Sequence, residues 1–469
     1  MTNVKTSLLV LAYFAFISLG LPDGLLGVGW PSIATTLRVP TESVAYLLFA
    51  ATTGYLISSV AAGYLLSRTF YPSWFGRRLR PVTFGVGWLV AGSTALASIA
   101  LAGYAMTPAL WFLVPCALLG GIGGGAIDAG LNAYAAAEFG PRHMNWMHAC
   151  FGLGVAIGPL IMTAVIEAGA VWRPGYVIVS SAQLLLALSF VVNARKWGRA
   201  PAAQPEHAVH AQPTAHPQPA AHSQPVAPPQ PVAPPQHTVP PQHTVPHEAV
   251  KPRGTLRIPA VWLSILAFGI YVSVEAGAGL WAFLLLTEGR GVDAGIAGLC
   301  VSGYWASLFV GRVMQGIVAE RLGTHSVLVG SLVGMAVGAL LVALPGPGGL
   351  AIAGLSIIGF AAAPVFPLLT LTTGERVGAE HTDRAIGLQI AGAGLGGAVV
   401  PGAIGVLLSR TTVEALGPAL LALTILLLIL YALTTVRSSR DRSSHDRLNP
   451  NPGQPLPGAA PVAAGGPDA

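Results

Sequence analysis

Twelve apolar segments, each near the length that crosses a bilayer, leave this chain one kind of fold. They recur at 7–36, 42–67, 81–104, 108–137, 144–168 and 174–193, then at 258–286, 294–319, 325–344, 349–373, 385–409 and 415–436. About 20 helical residues span the roughly 30 Å hydrocarbon core. Lipid offers backbone N–H and C=O groups no partner, so such segments must close their hydrogen bonds internally, as helices. Hydrophobic residues make up 53% of the chain and charged residues 9%, against about a quarter charged in soluble proteins. The expected class is an all-α membrane protein. Residues 1–5 are too short for the charged region and core of a cleavable signal, so the first segment is expected to remain a span.

The segments form two sets of six. Between them, residues 194–257 are dominated by Pro, Gln, His and Ala, with a near six-residue repeat in VAPPQPVAPPQHTVPPQHTVP. That composition reads as a disordered, polyproline-type linker. Its seven histidines lack regular spacing and carboxylate or cysteine partners, so no metal site is expected there. The tail, 437–469, is rich in Arg, Ser, Pro and Gly and is also expected to be disordered. Each half carries echoes of the other. GLGVAIGP, ending in Gly158 and Pro159, recurs as GLGGAVVP ending at Pro401, both in fifth segments. Gly63, Ser67 and Arg68 recur with equal spacing as Gly316, Glu320 and Arg321 at the ends of second segments. The expected architecture is therefore two pseudo-symmetric six-helix bundles, 1–193 and 258–436.

Charge sets the topology. With the N-terminus inside and every segment crossing, twenty Lys and Arg fall on the inner side, Arg312 and Arg321 among them. Arg38, Arg173, Arg290 and Arg410 remain outside. Cationic residues favour the cytoplasmic loops, so both termini and the linker are expected in the cytoplasm, with the protein in the inner cell membrane. The net charge of +6 then belongs to loops and implies no nucleic-acid partner. Cys116, Cys150 and Cys300 sit in apolar stretches without metal-ligand spacing and read as buried thiols; no cofactor is implied.

Of eighteen acidic residues, only Asp23, Asp128 and Glu275 fall deep in spans. A carboxylate there costs at least about 2.5 kcal/mol, so it normally faces a cavity and marks a solute or proton path. Asn132 lies four residues beyond Asp128 and shares its helix face. Asp23 sits among Gly20, Pro22, Gly24 and Pro31, which predicts a kinked, interrupted first helix. The alternative for each acid is a packing role between helices. His148 in the fifth span is read either as a proton shuttle or as a satisfied hydrogen-bond partner. Asn145 and Gln389 offer polar edges to a solute, and Trp281, Tyr304 and Trp305 offer ring faces, or else simply pack. Histidines concentrate in the linker and no soluble domain is present, which argues against a membrane enzyme and against a receptor.

The paired six-span halves and the G-x-x-x-[D/E]-R turn resemble the major facilitator superfamily. More closely, GGIGGGAIDAGLNAY with MNWMHACFGLG, YVSVEAGAGLW and GFAAAPVFPLLT is similar to its fucose permease-like sugar branch. That resemblance implies proton-coupled uptake of a sugar or similar small polar solute by a monomer in the lipid bilayer. It places Asp128, Asn132 and Asp23 in sugar recognition and proton coupling, with Glu275 the acid of the second half. Gly63, Arg68, Gly316, Glu320, Arg321 and Arg312 fall to gating, although Ser67 stands where the first turn should carry an acid. Gly158 and Pro159 also resemble part of a motif of drug–proton antiporters, so efflux is the alternative function.

Overall fold

The computed structural model describes residues 2–197 and 254–448, except positions 68, 71–72, 75–76, 79–81, 84 and 140. Twelve helices are long and apolar enough to span a membrane, from Thr6–Leu37 to Val413–Thr434, and each coincides within a few residues with an apolar segment. The first half holds α1 (Thr2–Leu37), α2 (Val44–Ser67), α3 (Val86–Met106), α4 (Leu110–Glu138), α5 (Pro141–Glu167) and α6 (Arg173–Asn193). The second holds α7 (Pro259–Leu284), α8 (Ala294–Leu322), α9 (Thr324–Ala343), α10 (Gly348–Ala362), α11 (Val365–Leu371), α12 (Thr373–Val377), α13 (Thr382–Arg410) and α14 (Leu416–Leu448). Between α2 and α3, β1 (Thr69–Phe70) pairs antiparallel with β4 (Val82–Thr83), and β2 (Ser73–Trp74) with β3 (Arg77–Arg78). Most of the linker and the tail beyond Leu448 lie outside the described residues. The helix α14 continues to Leu448, past the expected boundary at 436.

The duplication is physical. In each half the first span packs on the fifth, the second on the fourth and the third on the sixth: α1 on α5, α2 on α4, α3 on α6, then α7 on α13, α8 on α10, α9 on α14. Glycine permits the first of these contacts. A Cβ at Gly154 would strike the backbone of Ile17, and one at Gly396 would strike the backbone of Gly269. These glycines hold the same place in GLGVAIGP and GLGGAVVP, so the repeated motif is a repeated helix crossing.

Two expectations about helix breaks are corrected. The first helix is not interrupted: α1 stays helical through Pro22 and Pro31. Pro22 cannot donate to the carbonyl of Ser18, but Nε2 of buried Gln183 on α6 does so at 2.9 Å. A neighbour replaces the lost bond and the helix continues. The break lies instead in the tenth span, where a turn at Ala363 and Pro364 separates α10 from α11.

One end of the molecule is closed. The halves meet where α1, α5, α7 and α13 finish and α2 and α8 begin. Ser302 Oγ donates to the Ala156 carbonyl at 2.6 Å across the α5–α8 seam. In the same seam Gly298 lies against Thr163, and Gly295 against Glu167. Ala45 of α2 lies against Gly402 of α13, and Gly27 of α1 against the Gly279 carbonyl of α7. Toward the opposite end, Gly63 and Gly387 have no neighbour within 4 Å of a would-be Cβ. The halves are joined at this end, and exposed side chains deep between them, Asp23 and His148, mark a cleft that opens toward the other.

Two of the four arginines that break the charge bias are structural caps at the closed end. Arg173 donates to the carbonyls of Ala105 and Thr107, at 2.7 and 2.9 Å, at the C-terminus of α3. Arg290 does the same for α9, reaching Val342, Leu344 and Gly346 at 2.8–3.0 Å, and pairs with Glu414 at 2.8 Å. A cation at a helix C-terminus satisfies orphan carbonyls and opposes the macrodipole. The Arg290 side chain is 3% exposed, so Arg290→Ala removes three helix-end hydrogen bonds and the partner of Glu414 and should cost about 2 kcal/mol. Thermal unfolding in detergent checks this: Arg290→Ala lowers the midpoint clearly, whereas Arg410→Ala, at an exposed position, leaves it nearly unchanged.

Candidate functional site

The acids in the spans face the cleft from both halves. On the first half, both oxygens of Asp128 are held: Tyr55 Oη donates to Oδ2 at 2.7 Å, and Asn132 Nδ2 to Oδ1 at 2.9 Å. Tyr55 comes from α2, and the close α2–α4 contact that brings it near depends on Gly121 and Gly125, where a Cβ would strike α2 backbone. Asn132 meets Asp128 because four residues return a helix to the same face. Its Oδ1 is buried and has no partner among the described residues.

Asp23 of α1 makes no hydrogen bond or ion pair with any of the described residues. It is surrounded by protein yet exposed to solvent, as a residue in a cavity wall must be. It lies within electrostatic reach of the Tyr55 hydroxyl that holds Asp128. His148 of α5 is also exposed at depth, stacks edge-on against Phe16 with centroids 5.3 Å apart, and lies within electrostatic reach of both Asp128 and Arg312.

The opposite wall belongs to the second half. Glu275 of α7 pairs with Arg312 of α8 at 3.6 Å, and both side chains are partly exposed, 16% and 25%. Tyr271, one helical turn before Glu275, hydrogen-bonds to its Oε2, and the same hydroxyl lies 3.0 Å from the Ala362 carbonyl at the end of α10. A phenol has one proton to give. It can serve the Glu275 carboxylate or the Ala362 carbonyl, not both at once.

Other candidates lie in the packing. Trp281 is 1% exposed and donates to the Pro401 carbonyl at 2.9 Å. Tyr304 is fully buried and donates to the Glu275 carbonyl at 2.8 Å, bracing α7 against α8. Gln389 is fully buried, donating to Ser264 Oγ at 2.6 Å and accepting from Thr373 at 3.1 Å. These three position helices in this conformation and present nothing to the cleft. Gly158 and Pro159 pack α5 on α1 beside Gly24. Arg312, counted on the inner side, lies inside the eighth span beside Glu275. Arg321 is exposed at the open end. Arg68 and the side chains of Asn145, Gly316 and Glu320 fall outside the described residues. Among the described residues no His, Cys, Asp or Glu group could hold a metal, and the three cysteines are free.

Sequence reasoning missed Tyr55 and Tyr271. Tyr271 was recoverable, because it precedes Glu275 by one turn; Tyr55 carried no signal, since only the α2–α4 crossing brings it to Asp128.

Comparison with known proteins now fits this geometry. The family model described as Major Facilitator Superfamily matches residues 12–291 and 263–463. The chain belongs to the major facilitator superfamily. Its members' fold is seen again in a mutant of the nucleoside transporter NupG, with a TM-score of 0.65 at 12% identity, covering 90% of this chain and 98% of that one. A bacterial homologue of the human lysosomal transporter Spinster, inward-facing and unoccupied, gives 0.64 at 13% identity, covering 94% and 98%. A mutant of the peptide transporter POT with alafosfalin gives 0.64 at 12% identity, covering 91% and 94%. At such identities these likenesses concern the fold alone. No curated protein matches the chain in sequence. The protein is a multi-pass membrane transporter of this superfamily and not an enzyme.

Proposed function

We propose that this transporter takes up a sugar or similar small polar solute together with a proton, by alternating access around the cleft between its halves. The carrying observation is the facing of two polar walls: Asp128 held by Tyr55 and Asn132 on one side, Glu275 with Arg312 on the other. A polyhydroxyl solute needs convergent donors and acceptors in a concave site, and this cleft supplies both. Asp23, one turn before the Gly27 contact of the closed end and without a partner among the described residues, is the first acid inside the spans that a proton meets when that end opens. The likeness of LGGIGGGAIDAGLNAY to the fucose permease-like branch supports the sugar reading. With Arg312 moved into a span, nineteen Lys and Arg still lie on the side of the open end, against four opposite. That bias orients the open end toward the cytoplasm, so the conformation is inward-open, in the inner membrane.

The test is a solute panel on reconstituted protein with a pH dye inside the vesicles. A neutral hexose added outside is expected to acidify the interior. Acidification by nucleosides or peptides alone would replace sugar as the substrate class. Alkalinisation on adding lipophilic cations would establish efflux-type antiport instead.

A further inference from the structure

We propose that Glu275 masks Arg312 and thereby makes the cleft exclude anionic solutes while admitting neutral and cationic ones; this rests on the cleft being the solute path. The charged groups bordering it are Asp23, Asp128, Glu275 and Arg312, with His148 titratable between them. An exposed guanidinium in such a place is the natural anchor for a carboxylate or phosphate, because its planar fork matches them. Here that anchor is already taken. Glu275 holds it at 3.6 Å, and Tyr271 keeps the glutamate in place. With this pair neutralised, the charge left on the opposite wall is that of Asp23 and Asp128 whenever they are ionised, and clefts with low-dielectric walls focus such a field. Asp128 receives only the neutral donors Tyr55 and Asn132, and Asp23 receives none. Among the described residues deep in the spans, an incoming acid therefore meets two carboxylates and no cation free of a carboxylate partner. Glu275 is then a specificity-determining residue, and its replacement by an amide would release Arg312 to bind acids.

The field can be measured without knowing the substrate. Gly124 lies one turn before Asp128 on the same face, and a Cβ there meets only Leu19 Cδ2, at 3.6 Å. Gly124→Cys, made with Cys116→Ala, Cys150→Ala and Cys300→Ala, is a fitting reporter. Its rates with an ammonium-bearing and a sulfonate-bearing thiosulfonate of equal size are compared, each normalised to a small free thiol. The ammonium reagent is expected to react at least tenfold faster. Glu275→Gln is expected to reduce this ratio at least threefold, and Arg312→Gln, which unmasks Glu275 instead, to raise it. A ratio near one with Glu275 in place overturns the proposal, as does a ratio unmoved by Glu275→Gln. Should Glu275→Gln fail to fold, Arg312→Gln decides alone: an unchanged ratio overturns the masking. A solute panel that moves no internal pH would sink the uptake reading while leaving this ratio intact, so the two failures are separable.

Discussion

Asp128→Asn is expected to abolish proton-driven accumulation while preserving exchange of labelled for unlabelled solute across the membrane. The amide keeps the size and hydrogen-bonding outline of the carboxyl, so Tyr55 and Asn132 retain a partner. What it cannot do is bind and release a proton. One proton moving down the membrane potential supplies about 2.3 kcal/mol per 100 mV, enough for roughly fiftyfold accumulation at about 1.4 kcal/mol per tenfold. Without coupling, the solute should reach only its outside concentration. The check is steady-state uptake under an imposed potential beside counterflow without one. Full accumulation by Asp128→Asn would remove this residue from the coupling path.

A second large effect is expected at the closed end. Gly298 and Thr163 face each other across the α5–α8 seam, with a would-be Cβ at 298 lying 2.8 Å from Thr163 Cβ. Thr163→Cys with Gly298→Cys, again with the three native cysteines replaced, should form a disulfide after a small backbone adjustment, since bridged Cβ atoms sit about 3.8 Å apart. If that seam must part for solute to enter, oxidation stops transport almost completely and reduction restores it. Transport that continues through the oxidised protein would mean the seam is static. Either single cysteine alone serves as the control.

The sequence and the structure agree most where composition acts directly. All twelve spans were readable because apolar length is set by membrane thickness and is hard to disguise. The internal repeat was readable because a close helix crossing requires glycine, and Gly154 and Gly396 keep the same place in their motifs. Local prediction failed where a distant residue decides the outcome. Pro22 breaks nothing because Gln183, on another helix, replaces the missing hydrogen bond. Arg312 was counted among the inner-side cations although the eighth apolar segment contains it; only Glu275 across the helix interface shows its partner. Trp281, Tyr304 and Gln389 had the right chemistry for a ligand, yet each is spent on holding one helix to another. The deep acids differ in keeping solvent-exposed or partly exposed side chains, because an isolated charge in lipid is expensive and buried tryptophan is not.

The claim underlying these readings is that the two bundles rock about the acids they share, opening one end as they close the other. Paired spin-label distances test it most directly. One pair, at Arg38 and Arg410, spans the closed end, and a second, at Lys196 and Arg321, spans the open end; all four positions are exposed. Adding the solute and lowering the pH should lengthen the first distance in part of the population and shorten the second in the same part. Two distances that stay fixed, or that lengthen together, would contradict the account.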